Sequence, residues 1–172
     1  MNIILIGFMG SGKSTVAKSL SELLNLPFLE MDDLVYQKTN TQNMDEVFAL
    51  GGEILLRETE IEIAKEYAEK KNGIISTGGG VILNKITLDY FKKTGGKVIF
   101  LNARFDTIVK RLEGTNSRPL FKEIKSAQKL YHFRLPMYFH YADVVIDVDS
   151  KPVENIALQI KNSLSEKISD GF

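Results

Sequence analysis

The sequence contains no cysteine and no excess of either charge. Without cysteine the protein can form neither a disulfide bond nor a zinc–thiolate site. This composition fits a reducing compartment, and we expect a cytoplasmic protein. Lysine and arginine number 22, as do aspartate and glutamate, so the formal net charge is zero. This balance does not indicate a nucleic-acid-binding coat or a basic membrane-binding surface, and any positive charge that matters must be local.

Long apolar segments are also missing. No run approaches the roughly 20 residues that span a bilayer. The N-terminus lacks the basic and apolar stretches of a secretory signal. The 172 residues suffice for one domain with its own core. We therefore expect a single monomeric domain, residues 1–172, that binds neither a membrane nor nucleic acid.

Short apolar runs typical of strands alternate with helical patterns along the chain. The runs cover residues 3–6, 27–29, 73–76, 97–101 and 143–147. Because they are apolar at nearly every position, they indicate strands that helices cover on both faces. The alternation predicts an α/β fold with three layers, α/β/α, around a five-stranded parallel sheet. Ligands of such sheets bind beyond the carboxyl ends of the strands.

The segment GFMGSGKS at residues 7–14 fits the phosphate-binding pattern Gly-x-x-x-x-Gly-Lys-[Ser/Thr] at every fixed position. A strand precedes it and a helical pattern follows, which favours a phosphate-binding loop (P-loop) over an ordinary glycine turn. The glycines let backbone N–H groups point at phosphate oxygens, and the helix N-terminus adds partial positive charge. The residues expected on the buried face of the helix are Val16, Leu20, Leu23 and Leu24.

Lys13 is expected to reach the β- and γ-phosphates of a nucleotide, and the Ser14 hydroxyl to bind Mg²⁺. The nucleotide-binding residues expected in and just after the motif are Gly10, Ser11, Gly12, Lys13, Ser14 and Thr15.

Two segments interrupt the regular alternation. Residues 32–71 are more than one crossover helix needs. They contain a short helical pattern at 45–50, then Gly51-Gly52, then a long amphipathic stretch. This pattern predicts an inserted helical segment. Residues 113–125 are polar and weakly periodic, and they predict a mobile lid. A terminal helix is expected over residues 153–167.

Two carboxylates follow the second strand. Asp32 is placed to accept a proton from a hydroxyl that attacks the γ-phosphate. Its alternative role is to cap the next helix. Either Glu30 or Asp32 is placed to hold a water on Mg²⁺, and the alternative for Glu30 is a plain carboxylate at a strand end.

Arginines and glycines supply the remaining candidates. The planar guanidinium group of Arg57 either binds a substrate carboxylate through two hydrogen bonds or is solvated on a charged helix face. The run Gly78-Gly79-Gly80 after the third strand exposes backbone N–H groups and favours a ligand contact over a flexible turn.

Each of three further arginines has two possible roles. Arg118, in the predicted lid, either neutralises charge on the transferred phosphoryl group or is a surface residue. Arg111 either lies along a nucleotide base or favours its helix C-terminus. Arg134 precedes Pro136 in a helical pattern, where proline kinks the helix or begins a new turn, and it faces either the site or solvent. His132 and His140 have no metal-ligand partners at useful spacing and are interpreted as structural.

Together these residues resemble the shikimate kinase family of P-loop proteins. The resemblance spans residues 2–149 and rests on the order and spacing of the whole set. Its motifs are residues 7–15, Asp32, Gly52-Glu53 with Arg57, Gly78-Gly79-Gly80, Arg118-Pro119-Leu120 and Arg134-Leu135-Pro136-Met137-Tyr138.

The resemblance implies phosphorylation of the shikimate 3-hydroxyl by ATP with Mg²⁺, in aromatic amino acid biosynthesis. It implies that Asp32 activates that hydroxyl and that residues 32–71 bind the substrate. Arg57 and Arg134 would grip the shikimate carboxylate, with help from a backbone N–H at Gly79 or Gly80. Arg118 would contact the ATP phosphates, and Arg111 would flank the adenine.

The sequence departs from the family at two positions. The family often has Asp-x-Asp after the second strand, whereas here the first acid is Glu30, whose side chain is one methylene longer. The basic residue that closes the adenine pocket has only a loose counterpart in Lys151. A kinase of the same fold acting on gluconate or a nucleotide, and a nucleotide-dependent switch, remain the alternative functions.

Overall fold

The computed structural model describes residues 1–70, 72–113 and 124–169, and of residues 166–169 it describes the backbone only. The strands in these ranges are β1 (Ile3–Ile6), β2 (Phe28–Glu30), β3 (Ile74–Ser76), β4 (Lys97–Asn102) and β5 (Val144–Asp147). The helices are α1 (Lys13–Leu24), α2 (Met31–Thr39), α3 (Met44–Glu69), α4 (Lys85–Lys93), α5 (Phe105–Leu112), α6 (Ile124–Tyr141) and α7 (Val153–Ser169), and a 3₁₀ turn covers Val81–Leu83.

The five strands form one parallel sheet in the order β2-β3-β1-β4-β5. All four residues of the central strand β1 are buried. Because consecutive residues of a strand point to opposite faces, the sheet is covered on both sides. Helices α1 and α7 pack on each other, and α3 packs on α2 and α4. The predicted three-layer fold is confirmed.

The strand order reverses at β1. The chain crosses from β1 outward to β2, returns to β3 beside β1, and continues to β4 on the other side of β1. Parallel sheets bind ligands beyond the carboxyl ends of the strands at such a reversal. The segments at that edge are the P-loop, the start of α2 and the three glycines after β3.

The predicted strands are confirmed to within one residue at each end. The predicted buried face of α1 is wrong at Leu23, which is 41% exposed, whereas Ala17 is buried together with Val16 and Leu20. Successive residues of a helix are rotated by about 100° around its axis. The buried face is therefore centred between the directions of Val16 and Ala17, and Leu23 lies at the edge of that face.

The inserted segment folds as α2 and α3, and α3 is interrupted at Gly52, where φ is 66° and ψ is −158°. The break predicted at Gly51-Gly52 is therefore confirmed. Helix α6 continues through Pro136 to Tyr141, so no new helix begins at the proline. Helix α7 begins at Val153 as predicted and extends two residues further, to Ser169.

The predicted lid falls largely on residues 114–123, which lie outside the described part of the chain together with Arg118. Its last two residues, Ile124 and Lys125, belong to α6. None of the helices in the described ranges is long and apolar enough to cross a membrane.

Candidate active site

The P-loop connects the carboxyl end of β1 to the first turn of α1. The φ angles of Gly7, Gly10 and Gly12 are 152°, 77° and 95°, values that residues with a Cβ rarely adopt. Gly12 is the N-cap of α1 and has no side chain to satisfy the first N–H groups of the helix. These N–H groups are therefore available to the oxygens of an anion.

The ammonium group of Lys13 is buried in this loop. It donates hydrogen bonds to the carbonyl oxygens of Gly7 and Phe8, at 2.9 and 3.1 Å. The Ser11 hydroxyl is also buried, and it has no hydrogen-bond partner within the described ranges. Both groups lie where phosphate oxygens would supply acceptors.

Three polar side chains meet where β2 and β3 end. The hydroxyl oxygens of Ser14 and Ser76 are 3.4 Å apart, and both residues hydrogen-bond to the Glu30 carboxylate. Burial raises the pKa of Glu30 above its ordinary value, with Asp32 adding to the rise, while the two hydroxyls and Lys13 oppose it. Glu30 therefore contacts Ser14, the residue expected to bind Mg²⁺.

Asp32 lies in the first turn of α2 and points to the same edge of the sheet. Glu30, not Asp32, occupies the capping position of this helix, and no side chain caps it. The alternative interpretation of Asp32 as the helix cap is therefore wrong. A Cβ placed on Gly78 would lie 3.1 Å from Asp32 Oδ1, so Asp32 lies against the three-glycine turn.

Arg57 extends from α3 toward the same turn. Its side chain is only 16% exposed and forms ion pairs with Glu60 at 2.7 Å and Glu53 at 3.0 Å. A Cβ on Gly80 would collide with the guanidinium group. The solvated alternative for Arg57 is therefore wrong, because the side chain packs on the glycine turn.

Glu60 is a buried carboxylate that the sequence analysis did not single out. It is 1% exposed, and its Oε1 lies 3.3 Å from the Cβ position of Gly78. Burial raises the pKa of Glu60 to about 7 although Arg57 lowers it, and Asp32 and Glu53 add to the rise. Its position three residues after Arg57, on the same helix face, was the available signal.

Arg134 reaches the glycine turn from α6. It is 8% exposed, its Nη1 lies 3.5 Å from the Gly79 carbonyl oxygen, and its Nε has no partner within the described ranges. The alternative of an exposed arginine is therefore wrong. Burial lowers the pKa of Arg134, while Tyr138 raises it. Tyr138, one turn further along α6, donates to the same Gly79 carbonyl oxygen; the sequence analysis included it in a motif but assigned it no role.

The three-glycine turn joins the two halves of the site. A Cβ on Gly79 would lie 3.2 Å from the Met9 backbone nitrogen, inside the P-loop. The same turn touches Asp32 and Glu60 at Gly78, and Arg57 at Gly80. The P-loop, the carboxylates and two arginines are thus assembled around one short segment.

Arg111 lies on the other side of the P-loop. Its Nη1 donates to the Ser11 carbonyl oxygen at 3.1 Å, and its Nη2 to the Val148 carbonyl oxygen at 3.1 Å. This places Arg111 beside the phosphate loop, between it and the end of β5. Lys151 instead bonds to Gln159 of α7 at 3.2 Å, so its side chain is held by that helix.

Comparison with known proteins identifies the family. The profile described as "Shikimate kinase" matches residues 9–165. The chain belongs to the shikimate kinase family. A shikimate kinase of Moorella thermoacetica is 38% identical over 165 residues, which cover 95% of this chain and 94% of the relative. A shikimate kinase of Lactococcus lactis is 42% identical over 163 residues, covering 94% and 96% of the two chains.

Solved structures agree with this family assignment. The shikimate kinase of Acinetobacter baumannii, determined in complex with shikimate, matches with a TM-score of 0.88 at 28% identity and covers 96% of this chain and 93% of its own. The shikimate kinase of Aquifex aeolicus matches with a TM-score of 0.82 at 34% identity, covering 99% and 100%. A gluconokinase of Sinorhizobium meliloti matches at a TM-score of 0.60 and 17% identity, covering 98% and 95%, and this shows only that the fold is shared.

Proposed function

We propose that this shikimate kinase family member transfers the γ-phosphoryl group of ATP to the 3-hydroxyl of shikimate, giving shikimate 3-phosphate in aromatic amino acid biosynthesis. The observation that carries the proposal is the three-glycine turn, which touches the P-loop on one side and Asp32, Arg57 and Arg134 on the other. A phosphate donor and a small anionic acceptor are thereby held at adjacent positions. Phosphoryl transfer requires this alignment and charge neutralisation more than covalent chemistry.

On the donor side, the N–H groups of the P-loop bind the β- and γ-phosphates. Lys13 exchanges its bonds to the Gly7 and Phe8 carbonyl oxygens for bonds to these phosphates. Arg111, already tied to the Ser11 carbonyl, flanks the adenine. Arg118 of the predicted lid contacts the phosphates, and lid closure keeps water from the reacting group.

The residues beside Ser14 suit a magnesium ion. The Ser14 hydroxyl and the Glu30 carboxylate are oxygen donors in contact with each other, and Mg²⁺ binds such donors while keeping several waters. The described residues contain no cluster of three or more His, Cys, Asp or Glu side chains for a metal, as fits an ion held mainly by phosphate and water. The Ser14 hydroxyl would hold such an ion directly and the Glu30 carboxylate through a water, and the ion would supply positive charge against the phosphates.

On the acceptor side, Arg57 and Arg134 bind the shikimate carboxylate. Arg134 Nε, which has no partner among the described residues, provides a donor for it, and backbone N–H groups at Gly79 or Gly80 provide more. Asp32 accepts the proton of the 3-hydroxyl as that oxygen attacks the γ-phosphate. Two arginines thus supply the countercharge for the substrate although the net charge of the chain is zero.

A substrate panel tests this function. The purified protein is assayed with ATP, Mg²⁺ and shikimate, gluconate or nucleoside monophosphates, and calorimetry measures shikimate binding with and without nucleotide. Of these acceptors, we expect only shikimate to be phosphorylated. We expect the Lys13→Ala variant to lose this activity. Turnover of gluconate or a nucleotide without shikimate activity, or ATP hydrolysis that ignores shikimate, would contradict the proposal.

A further inference from the structure

The hydroxyl of Tyr138 makes one buried contact to the three-glycine turn. Tyr138 is 1% exposed, and its hydroxyl donates to the carbonyl oxygen of Gly79. Its ring stacks on Phe100 of β4, with the ring centroids 5.1 Å apart and the planes 14° apart. Burial raises the pKa of Tyr138, so the hydroxyl keeps its proton and remains a donor. The donor therefore comes from a side chain that the sheet holds in place.

The turn needs an external restraint. Three consecutive glycines have no side chains to limit their backbone angles, so they lose more conformational freedom on ordering than other residues. The 3₁₀ turn restrains two of their carbonyls, because Val81 N–H bonds to Gly78 O and Leu83 N–H bonds to Gly80 O. The carbonyl of Gly79 takes no part in these bonds and points to α6 instead.

Tyr138 is the stronger of the two donors to that carbonyl. Arg134 Nη1 is 3.5 Å away, at the outer limit of a hydrogen bond. Under the proposed function Arg134 binds the substrate carboxylate, so its contact with Gly79 is not reserved for the turn. The Tyr138 hydroxyl also hydrogen-bonds to Arg134, so it contacts both the turn and the arginine.

Fixing the Gly79 carbonyl also fixes the Gly80 N–H. The two groups belong to one planar trans peptide unit, in which C=O and N–H point in opposite directions. The bond from Tyr138 therefore directs the Gly80 N–H away from α6. Arg57 packs against the same residue, Gly80, from α3. The residue that carries this N–H therefore lies next to one of the two arginines assigned to the substrate carboxylate.

We propose that Tyr138 is a positioning residue for the acceptor: its hydroxyl holds the peptide unit between Gly79 and Gly80 in the orientation that binds the shikimate carboxylate. This inference rests on the proposed function. In this proposal Tyr138 does not touch the substrate and acts through the Gly80 N–H, with its hydrogen bond to Arg134 as a second route to the same carboxylate. Preorganising a binding group in this way increases affinity by lowering the cost of ordering it.

The test is Tyr138→Phe, which removes one hydroxyl and keeps the ring. Tyr131→Phe is the matched control, because Tyr131 is two turns earlier on α6, is also buried, and donates its hydroxyl to the Ala103 carbonyl oxygen at 3.0 Å. The readouts are KM for shikimate and for ATP, kcat, the melting temperature and the NMR signal and hydrogen exchange of the Gly80 amide.

We expect Tyr138→Phe to raise the KM for shikimate by about twofold to tenfold, the range of one hydrogen bond, with the KM for ATP unchanged. The Gly80 amide should exchange faster in the unliganded variant. Tyr131→Phe should change neither the KM for shikimate nor the exchange rate of the Gly80 amide, even if both variants melt at a lower temperature.

Three outcomes would overturn the inference: an unchanged shikimate KM in Tyr138→Phe, equal rises for shikimate and ATP, or the same effect in Tyr131→Phe. If the wild-type protein turns over shikimate and one of these occurs, only the role of Tyr138 fails. Absence of shikimate turnover in the wild-type protein removes the proposed function and this inference with it.

Discussion

The two carboxylates beside Gly78 differ in their surroundings. Asp32 is partly exposed at the start of α2, whereas Glu60 is enclosed and paired with Arg57 at 2.7 Å. An ionised carboxylate near the phosphate loop suits proton acceptance from a hydroxyl. A buried carboxylate paired with an arginine suits positioning of the guanidinium group, whose charge is permanent. The two residues therefore have separate tasks.

Replacing Asp32 with asparagine separates binding from chemistry. The amide keeps the shape of the side chain but accepts a proton poorly, so we expect kcat to fall by about a hundredfold to ten-thousandfold. Shikimate should still bind, as calorimetry would show. Asp33→Asn is the matched control, because Asp33 is an exposed acid in the same first turn of α2. An unchanged kcat in Asp32→Asn removes Asp32 from the base role.

Glu60 predicts a pH dependence of shikimate binding. Its raised pKa of about 7 means that it is largely protonated at pH 6 and ionised at pH 8. Ionised Glu60 competes with the substrate carboxylate for Arg57, and Asp32 and Glu53 already place negative charge nearby. A substrate carboxylate is ionised throughout this range. Binding should therefore weaken as the pH rises through 7.

Calorimetry at pH 6, 7 and 8 measures this effect. We expect the dissociation constant for shikimate to rise by roughly twofold to fivefold between pH 6 and pH 8, which corresponds to a further pKa rise of up to about one unit in the complex. Glu60→Gln should abolish the trend. Glu58→Gln, an exposed neighbour on α3, should keep it. A trend that persists in Glu60→Gln belongs to another group.

At the scale of elements, the break in α3 positions Arg57. Gly52 has φ of 66° and ψ of −158°, a region that is essentially restricted to glycine. A Cβ there would meet nothing within 4 Å, so only backbone strain opposes a substitution. The direction of the helix that carries Arg57 depends on this one residue.

Gly52→Ala should therefore lower stability by about 1–3 kcal/mol and raise the KM for shikimate. Gly95→Ala is the control, since Gly95 has φ of 82° and its Cβ would also meet nothing within 4 Å, but it lies between α4 and β4. We expect both variants to melt at a lower temperature and only Gly52→Ala to bind shikimate more weakly. The same KM for shikimate in the two variants would show that the break at Gly52 does not position Arg57.

Sequence patterns predicted the elements better than the contacts between them. The strands were found because buried parallel strands are apolar at nearly every position. The break at Gly51-Gly52 was found because glycine marks special backbone geometry. The bond from Tyr138 to Gly79 joins residues 59 positions apart, and only the packing of α6 against the glycine turn creates it. The burial of Arg57, Glu60 and Arg134 depends on tertiary packing in the same way.

At the scale of the whole molecule, the described residues share a hydrophobic core that unites both halves of the site. Its buried residues come from the central strand, the inserted helix α3, α6 and the terminal helix, as Ile4, Ile63, Tyr138 and Ile160 show. The P-loop and the acceptor side are thus built on shared packing. We expect residues 1–172 to unfold as one cooperative unit.

Thermal and chemical unfolding test this expectation together with ligand linkage. A ligand at about 100 times its dissociation constant adds about 2.7 kcal/mol to the free energy of unfolding. For a chain of this size that corresponds to a rise in Tm of roughly 5–10 °C. Shikimate should therefore shift a single transition upward, gluconate should not, and Arg134→Ala should lose most of the shift at the same shikimate concentration. Two separate transitions, with only one of them sensitive to shikimate, would show that the inserted helices unfold apart from the P-loop core.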